Sequence, residues 1–356
     1  MRMHKVSVSI LSVFCIAALS LIIAKPAEAD DIARVVISDD ATGGECTTVG
    51  KWNATTKTCK LTQDIDDVSS DEDGIAIVSN GITLLCNGHS ITGEDSGFGI
   101  TSYGVSGVTI KDCTVENFSF GIYLLGGGHN TVKNNTSNSN HFDGIFLSGS
   151  DFNKVNNNTS NSNFYGIYLL NSDSNTVNNN TSNSNRIVGI NLYNSDYNTV
   201  NKNTANSGRY LGIALSDSDF NTVNNNQANN ISAVSLAAVG IILDNSNNNT
   251  VNNNTATNNY SAANYAAGIH LQDSSNNTLN NNTADNNSAS TGHGVGISVL
   301  ANSNLNVVNS NTADNNSSYG YFLDDDTSTD NTFHHDECSD NGSAGSDPSG
   351  LCSPQQ

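Results

Sequence analysis

Aromatic and arginine side chains recur at two fixed positions of a repeated motif in the middle of the chain. They occupy the variable residue of Gly-Ile-x-Leu and the turn before that motif, at Tyr123, Phe146, Tyr168, Phe164, Tyr165, Arg186, Arg209 and Tyr210. Aromatic faces stack on the apolar faces of sugar rings, and guanidinium groups bind hydroxyl and carboxylate oxygens. The pattern predicts a carbohydrate-binding surface. The alternative is that these rings pair along a stack of strands and stabilise it.

Four aspartates share another offset of the repeat, in the turn before the Asn-x-Val segment. They are Asp151, Asp173, Asp196 and Asp219. Carboxylates one strand spacing apart repel one another unless water or a cation separates them, and Ca²⁺ prefers such oxygen ligands. Ca²⁺ on this column is therefore the one cofactor that the sequence offers. In the alternative interpretation each Asp side chain is solvated and accepts hydrogen bonds from groups of its turn.

A third cluster of reactive residue types, His334-His335-Asp336-Glu337-Cys338, lies near the C-terminus. Successive residues of a strand point to opposite sides, so the two imidazoles cannot easily face one ion. We expect Cys338 in a disulfide and no dedicated copper or zinc site. We also expect no catalytic residues, since Gly292-His293-Gly294 is followed by no Arg or Lys that could neutralise an acidic sugar.

All of these positions belong to one repeat array. Gly-Ile recurs from Gly74 to Gly296 at spacings of 22 to 28 residues, and Gly320-Tyr321 follows. Aliphatic and polar residues alternate in Gly-Ile-x-Leu and in Asn-Thr-Val-Asn, which is the period of a strand. Short strands separated by Asn, Ser and Gly turns make the coil of a parallel β-helix, with coils about 4.8 Å apart. The sequence predicts an all-β, single-stranded solenoid of about ten coils.

The columns of this solenoid have different roles. Predicted core columns begin at Ile122, Leu124 and Val132, with small Ser or Ala residues in the third strand. Asparagine recurs at one offset, where side-chain amides can hydrogen-bond from coil to coil and satisfy turn backbone groups. The residues of this predicted ladder are Asn135, Asn158, Asn180, Asn203, Asn226, Asn254 and Asn282.

The two ends of the chain differ from the repeats. Residues 1–29 have the basic, apolar and small-residue order of a secretory signal peptide. Residues 30–73 are predicted as an N-terminal cap, 74–319 as the repeats, and 320–356 as a C-terminal coil and cap. Six cysteines in an exported chain indicate disulfides, and their placement favours Cys46–Cys59, Cys86–Cys113 and Cys338–Cys352 among 15 possible connectivities.

Charge excludes some partners. The chain has 13 Lys and Arg against 34 Asp and Glu, a formal net charge of −21, and no cation after Arg209. This balance argues against nucleic acid and anionic lipid. Beyond the signal peptide no apolar stretch approaches the ~20 residues that span a bilayer.

The segments DGIAIVSNGITLLCNGHSITG (73–93) and GVTIKDCTVENFSFGIYL (107–124), with the Gly-Ile-x-Leu and Asn-Thr-Val repeats that follow, carry a family resemblance. From Gly74 to Asn316 the chain resembles the right-handed parallel β-helix repeats of the NosD-like family, of the periplasmic copper-binding protein type. That resemblance implies a right-handed solenoid and a group of polysaccharide lyases, epimerases, hydrolases and surface proteins. The expected function is binding of extracellular or cell-envelope polysaccharide by a periplasmic, secreted or cell-surface protein. A carbohydrate-active enzyme, a copper accessory protein and a structural surface protein are the alternatives.

Overall fold

The structure is a computed structural model that describes residues 33–69, 72–324 and 326–353. The predicted signal peptide, residues 1–29, lies outside the described residues. One helical turn, Cys46–Val49, is the only helix that these residues form, and it is far too short to cross a membrane. Everything else that is regular is strand, as the alternating pattern predicts.

Sheet 1 contains the Gly-Ile strands and runs the length of the solenoid. Its neighbouring strands all pair in parallel, in the order of the chain. The strands are Ala33–Ile37, Asp73–Ile77, Phe98–Tyr103, Phe120–Leu125, Asp143–Ser148, Tyr165–Leu170, Val188–Tyr193, Leu211–Ser216, Ala238–Asp244, Tyr265–Gln272, His293–Leu300, Tyr319–Leu323 and Ala344–Asp347.

Sheet 2 contains the Asn-Thr-Val strands. Only its first pair, Gly50–Asn53 with Thr58–Leu61, is antiparallel. The remaining strands are Thr83–Leu85, Thr109–Lys111, Thr131–Lys133, Lys154–Asn156, Thr176–Asn178, Thr199–Asn201, Thr222–Asn224, Thr250–Asn252, Thr278–Asn280, Val307–Asn309 and Thr332–His334.

Two shorter sheets complete the coils. Sheet 3 comprises Ile65–Val68, Ser90–Gly93, Thr114–Glu116 and Thr136–Asn138, and single bridges continue it from Thr159 to Ser353. Sheet 4 comprises Ser232–Ala233, Tyr260–Ser261 and Ser288–Ala289, which lie in the extra residues of the three longest coils. Both long sheets have thirteen strands, more than the ten coils predicted. Ten strands of sheet 1 carry the Gly-Ile repeats, Tyr319–Leu323 carries the Gly320-Tyr321 unit, and Ala33–Ile37 and Ala344–Asp347 extend the sheet at its two ends.

The interior is one slim hydrophobic core. The predicted columns that begin at Ile122, Leu124 and Val132 are fully buried in every coil to Val200, which confirms them. The Gly-Ile glycine is required by close packing between elements: a Cβ on Gly166 would overlap the Oγ of Ser182. The aliphatic columns thus fill the space between sheets, while glycine lets the third strand approach sheet 1.

The predicted asparagine ladder is present. Asn158 Nδ2 donates to Asn180 Oδ1 at 3.0 Å and to the Val132 carbonyl at 2.9 Å, and the same pattern recurs up the column. Each Oδ1 also accepts the backbone N–H of the ladder residue one coil before. These bonds satisfy buried turn groups that would otherwise destabilise the interior.

Disulfides join the cysteine pairs that the sequence favours, Cys46–Cys59, Cys86–Cys113 and Cys338–Cys352. The Asn135 ladder ends at Cys113, whose backbone N–H donates to Asn135 Oδ1 at 3.0 Å. Where the amide ladder stops, the Cys86–Cys113 disulfide links Cys113 covalently to the preceding coil.

Candidate functional site

The face of sheet 1 that points away from the core is itself apolar. Its side chains form a second cluster, separate from the core, that continues from Phe98 to Phe322. Pairing in register aligns them in three columns, which pass through Phe120, Tyr123 and Leu125 in one strand. We call these three columns the outer face. They bring together aromatic residues that are 22 or 23 positions apart in the sequence.

Four of the predicted sugar-binding rings belong to this outer face and are buried within it. Tyr123, Phe146, Tyr168 and Tyr165 are buried, and Phe146 is 0% exposed. Tyr123 stacks on Phe146 with ring centroids 5.0 Å apart, and Phe146 on Tyr168 at 5.1 Å. These rings hold neighbouring coils together, which is the role that the sequence left open as the alternative. They point away from the core, but the adjacent columns of the outer face cover them.

The other four predicted residues form a rim along the edge of the outer face. Arg186 and Arg209 are exposed, while Phe164 and Tyr210 are half-buried. The guanidinium carbon of Arg186 lies 5.8 Å from the Phe164 ring centre one coil away, and that of Arg209 lies 5.7 Å from the Tyr210 ring. Within the described part of the chain neither arginine forms an ion pair. Two cations are thus held in place by rings and keep their charge available to a ligand.

A carboxyl group is buried within the aromatic part of the outer face. Asp143 pairs in register with Phe120 and Tyr165 on its two sides and is 3% exposed. Burial alone raises its pKa well above the ordinary range, because no charge or hydrogen bond acts in the other direction. Asp73 occupies the same column nearer the N-terminus, and burial raises its pKa to about 6 against the opposing effect of a hydrogen bond from the Phe98 N–H.

A polar cluster that sequence reasoning missed lies on the outer face under the longest coils. The Tyr265 hydroxyl lies 2.6 Å from Ser298 Oγ and 3.1 Å from His270 Nδ1, and Ser298 Oγ lies 2.8 Å from His270 Nδ1. All three residues are buried, and His270 Nε2 has no partner among the described residues. Burial lowers the pKa of His270 to about 4, so the imidazole is neutral at pH 7. The available signal was a His and a Ser at the variable position of the Gly-Ile motif in adjacent coils.

The acidic column makes hydrogen bonds between coils. Asp151 Oδ1 accepts the Asp173 N–H at 2.7 Å, Asp173 accepts from Asp196, and Asp196 accepts from Asp219 at the same distance. One oxygen of each of these three carboxylates therefore accepts a backbone N–H of the next coil, and Ca²⁺ binding by this column stays a prediction. Asn247 accepts the Ser275 N–H at the same position of a later coil, so the turn does not require a charge.

The residues near the C-terminus do not present a converging set of copper ligands. His334 and His335 are exposed, with ring centroids 6.4 Å apart and planes inclined by 45°. Asp336 is buried and accepts hydrogen bonds from Asn311 and His334, and Cys338 is bonded to Cys352. Nowhere in 33–69, 72–324 and 326–353 do three His, Cys, Asp or Glu side chains form a group that could hold a metal ion.

Stacked parallel coils with an asparagine ladder and an aromatic outer face define a protein of the right-handed β-helix class. A model of the right-handed β-helix region matches residues 240–353. The model described as periplasmic copper-binding protein (NosD) matches residues 55–266, and the chain belongs to that family. No curated protein matches the chain in sequence.

Solved structures share the fold at low identity. A mutant of the periplasmic alginate epimerase AlgG is 17% identical, with a TM-score of 0.54 over 83% of this chain and 76% of that one. The DFA-IIIase of Arthrobacter chlorophenolicus without its lid is 15% identical, with a TM-score of 0.48 over 63% of this chain. The match spans 62% of the DFA-IIIase chain, less than two thirds of its length. At 17% identity the likeness to AlgG establishes the fold alone.

Proposed function

We propose that this protein is an exported β-helix protein that binds an anionic polysaccharide along the rim of the outer face. The observation that carries the proposal is the pair of exposed arginines, Arg186 and Arg209, each within 6 Å of an aromatic ring and without an ionic partner in the described residues. A sugar acid presents both an apolar ring face and a carboxylate, and this pairing suits both. The carbohydrate-acting AlgG of the same fold supports the substrate class by analogy.

The chain's net charge of −21 repels polyanions at long range, so the proposal depends on the local positive charge of the rim. In a chain of net charge −21, Arg186 and Arg209 are the last arginines, and they lie one coil apart on one edge of sheet 1. Their backbone N–H groups bond to Asn163 and Asn185, so the turn that carries them has a fixed position. Export is supported by the three disulfides, which persist in oxidising compartments.

Binding of alginate oligomers to the full chain, measured by calorimetry at low and high salt, tests the proposal. Arg186→Gln and Arg209→Gln should each weaken binding about tenfold, the usual loss for a charge-assisted contact. High salt should reduce this difference between the wild type and each variant, because it screens the contact. Lys202→Asn is the matched control, because it removes one charge from an exposed turn where neighbouring coils carry Asn. If the arginine variants bind as well as the control variant, the rim is not the site.

Asp143 favours one second candidate, a carbohydrate-active enzyme on the same face. Burial raises the pKa of this carboxyl, and a raised pKa is the direction that suits a general acid that protonates a sugar oxygen. New unsaturated or reducing ends released from alginate by the wild type, and lost in Asp143→Asn with binding retained, would favour this candidate. Binding without any release favours the binding protein.

A further inference from the structure

The turn between sheets 1 and 2 carries an exposed row of side chains in a left-handed backbone conformation. From the coil that contains Thr131–Lys133 onward, each coil places one residue there, and φ lies between 56° and 60°. These residues are His129, Phe152, Ser174, Tyr197, Phe220, Asn248, Asn276, Leu305 and Asp330. Asn and Asp suit this conformation, whereas a bulky side chain is strained in it. Phe152, Tyr197 and Phe220 therefore occupy positions where a polar residue would be more stable.

The same three rings are also exposed to water. Phe152 is 55% exposed, Tyr197 60% and Phe220 46%. Backbone strain and an exposed ring are two separate disadvantages, and both recur in this short part of the solenoid. Such a combination is typical of a binding surface rather than of a fold requirement.

The rings form two stacked pairs separated by a gap. His129 stacks on Phe152 at 5.3 Å with planes 13° apart, and Tyr197 stacks on Phe220 at 5.0 Å with planes 5° apart. Because near-parallel rings lie one coil rise apart, their faces point along the solenoid axis. Between the pairs lies Ser174, whose side chain is small. Phe152 and Tyr197 are two coils apart, about 9.6 Å along the axis, which leaves room for one additional ring.

A carboxylate residue immediately precedes each of the three residues that form this gap. Asp151, Asp173 and Asp196 immediately precede Phe152, Ser174 and Tyr197, and all three are partly exposed. Asp173 uses Oδ1 for the Asp196 N–H, which leaves Oδ2 to accept a bond from a ligand. Carboxylates accept hydrogen bonds from hydroxyl groups but repel anions.

We propose that this gap, flanked by Phe152 and Tyr197 and floored by Ser174, binds one sugar ring of a neutral glycan. The ring takes the position of the missing member of the aromatic stack, with both of its apolar faces covered, and its hydroxyls bond to Asp173 and its neighbours. This site is independent of the proposed function. It lies at the opposite end of the sheet 1 strands from the arginine rim, and its charge selects a different class of sugar.

Filling the gap provides the sharpest test. Neutral hexasaccharides of glucose, mannose and xylose are titrated into the full chain by calorimetry, and at least one should bind the wild type. Ser174→Tyr adds the missing ring and should abolish that binding, while Tyr197→Asn should weaken it about tenfold through the loss of one stacking face. Tyr197→Asn should leave the thermal midpoint close to that of the wild type, because relief of the left-handed strain offsets the lost stacking on Phe220. A loss of binding therefore cannot be attributed to unfolding.

Leu305→Asn is the matched control, since it makes the same kind of change in the same row far from the gap, and it should bind as the wild type does. Arg186→Gln should leave neutral glycan binding unchanged, so failure of the rim and failure of the gap are distinguishable. No binding of any neutral oligomer, or equal binding by the wild type and Ser174→Tyr, overturns the proposal. A simple phenol that binds in the gap when no glycan does would overturn it equally.

Discussion

Converting Asn203 to Asp should destabilise the solenoid far more than converting Asp336 to Asn, although both residues occupy the same ladder column. Asn203 Oδ1 accepts two bonds from Asn180, and its Nδ2 donates to the Val177 carbonyl at 2.9 Å and to Asn226 Oδ1 at 3.1 Å. The Asp variant loses both donated bonds and turns an oxygen toward two acceptors in a buried site. Unsatisfied buried groups cost about 1–3 kcal/mol each, so the free energy of unfolding should fall by about 3–5 kcal/mol.

At the C-terminal end of the column the requirement is reversed. Asp336 Oδ1 accepts two bonds from Asn311, and Oδ2 accepts the His334 N–H at 3.1 Å, so this side chain only accepts. Asp336→Asn keeps Oδ1 and loses one acceptor, at a cost of about 1 kcal/mol. Urea unfolding at pH 7, followed by circular dichroism, measures both variants. Equal losses in the two variants, or a loss below about 1 kcal/mol for Asn203→Asp, would refute the directional ladder.

Three further predictions concern titration and metal. The wild type should lose stability as pH rises from about 4 to about 6, because the raised pKa of Asp73 means that the folded state binds this proton more tightly than the unfolded state. Asp73→Asn should remove this loss, and thermal midpoints measured across this pH range test it. His270→Gln should remove the opposite loss, as pH falls from 6.5 toward about 4, because the folded state resists protonation of this buried imidazole. Calorimetry on metal-stripped protein should find weak Ca²⁺ binding that Asp173→Asn reduces and no stoichiometric tight copper; a tight copper site lost in His334→Ala would contradict this.

Period and composition were sufficient to predict the interior from the sequence. The alternation in Gly-Ile-x-Leu identifies Ile167 and Leu169 as buried, and recurrence at one offset identifies Asn180 as part of a ladder, because each coil reproduces the environment of the last. The direction of the ladder was not predictable. The direction depends on which of two neighbouring coils supplies the donating Nδ2 group. Only Asp336 indicates it, because a carboxylate at the C-terminal end of the ladder can accept but not donate.

The candidate site was predicted less well. Alternation shows that Tyr168 points away from the core, but it does not show that the neighbouring columns of the outer face cover the ring. Conversely, Phe152 and Tyr197 follow the aspartates in turns that the sequence treats as simple connections, and their left-handed backbone is visible only in the structure. A turn residue has no periodic partner in its own coil, so its exposure depends on the path of the backbone.

The two proposed surfaces follow from one property of the solenoid. Inside, each column is constrained by the coils before and after it, so the same residue types recur and carry little information about a ligand. Outside, a column can change at one coil without disturbing the next, as Ser174 does between Phe152 and Tyr197 and as Arg186 does after Phe164. Some departures from the repeat also strain the backbone or leave a charge without an ionic partner. The stability of the solenoid does not explain such residues, but binding of a ligand that contacts several coils does. Arginine beside aromatic rings on one edge and carboxylates beside aromatic rings on the other make that explanation specific, since the first edge favours an acidic sugar and the second a neutral one.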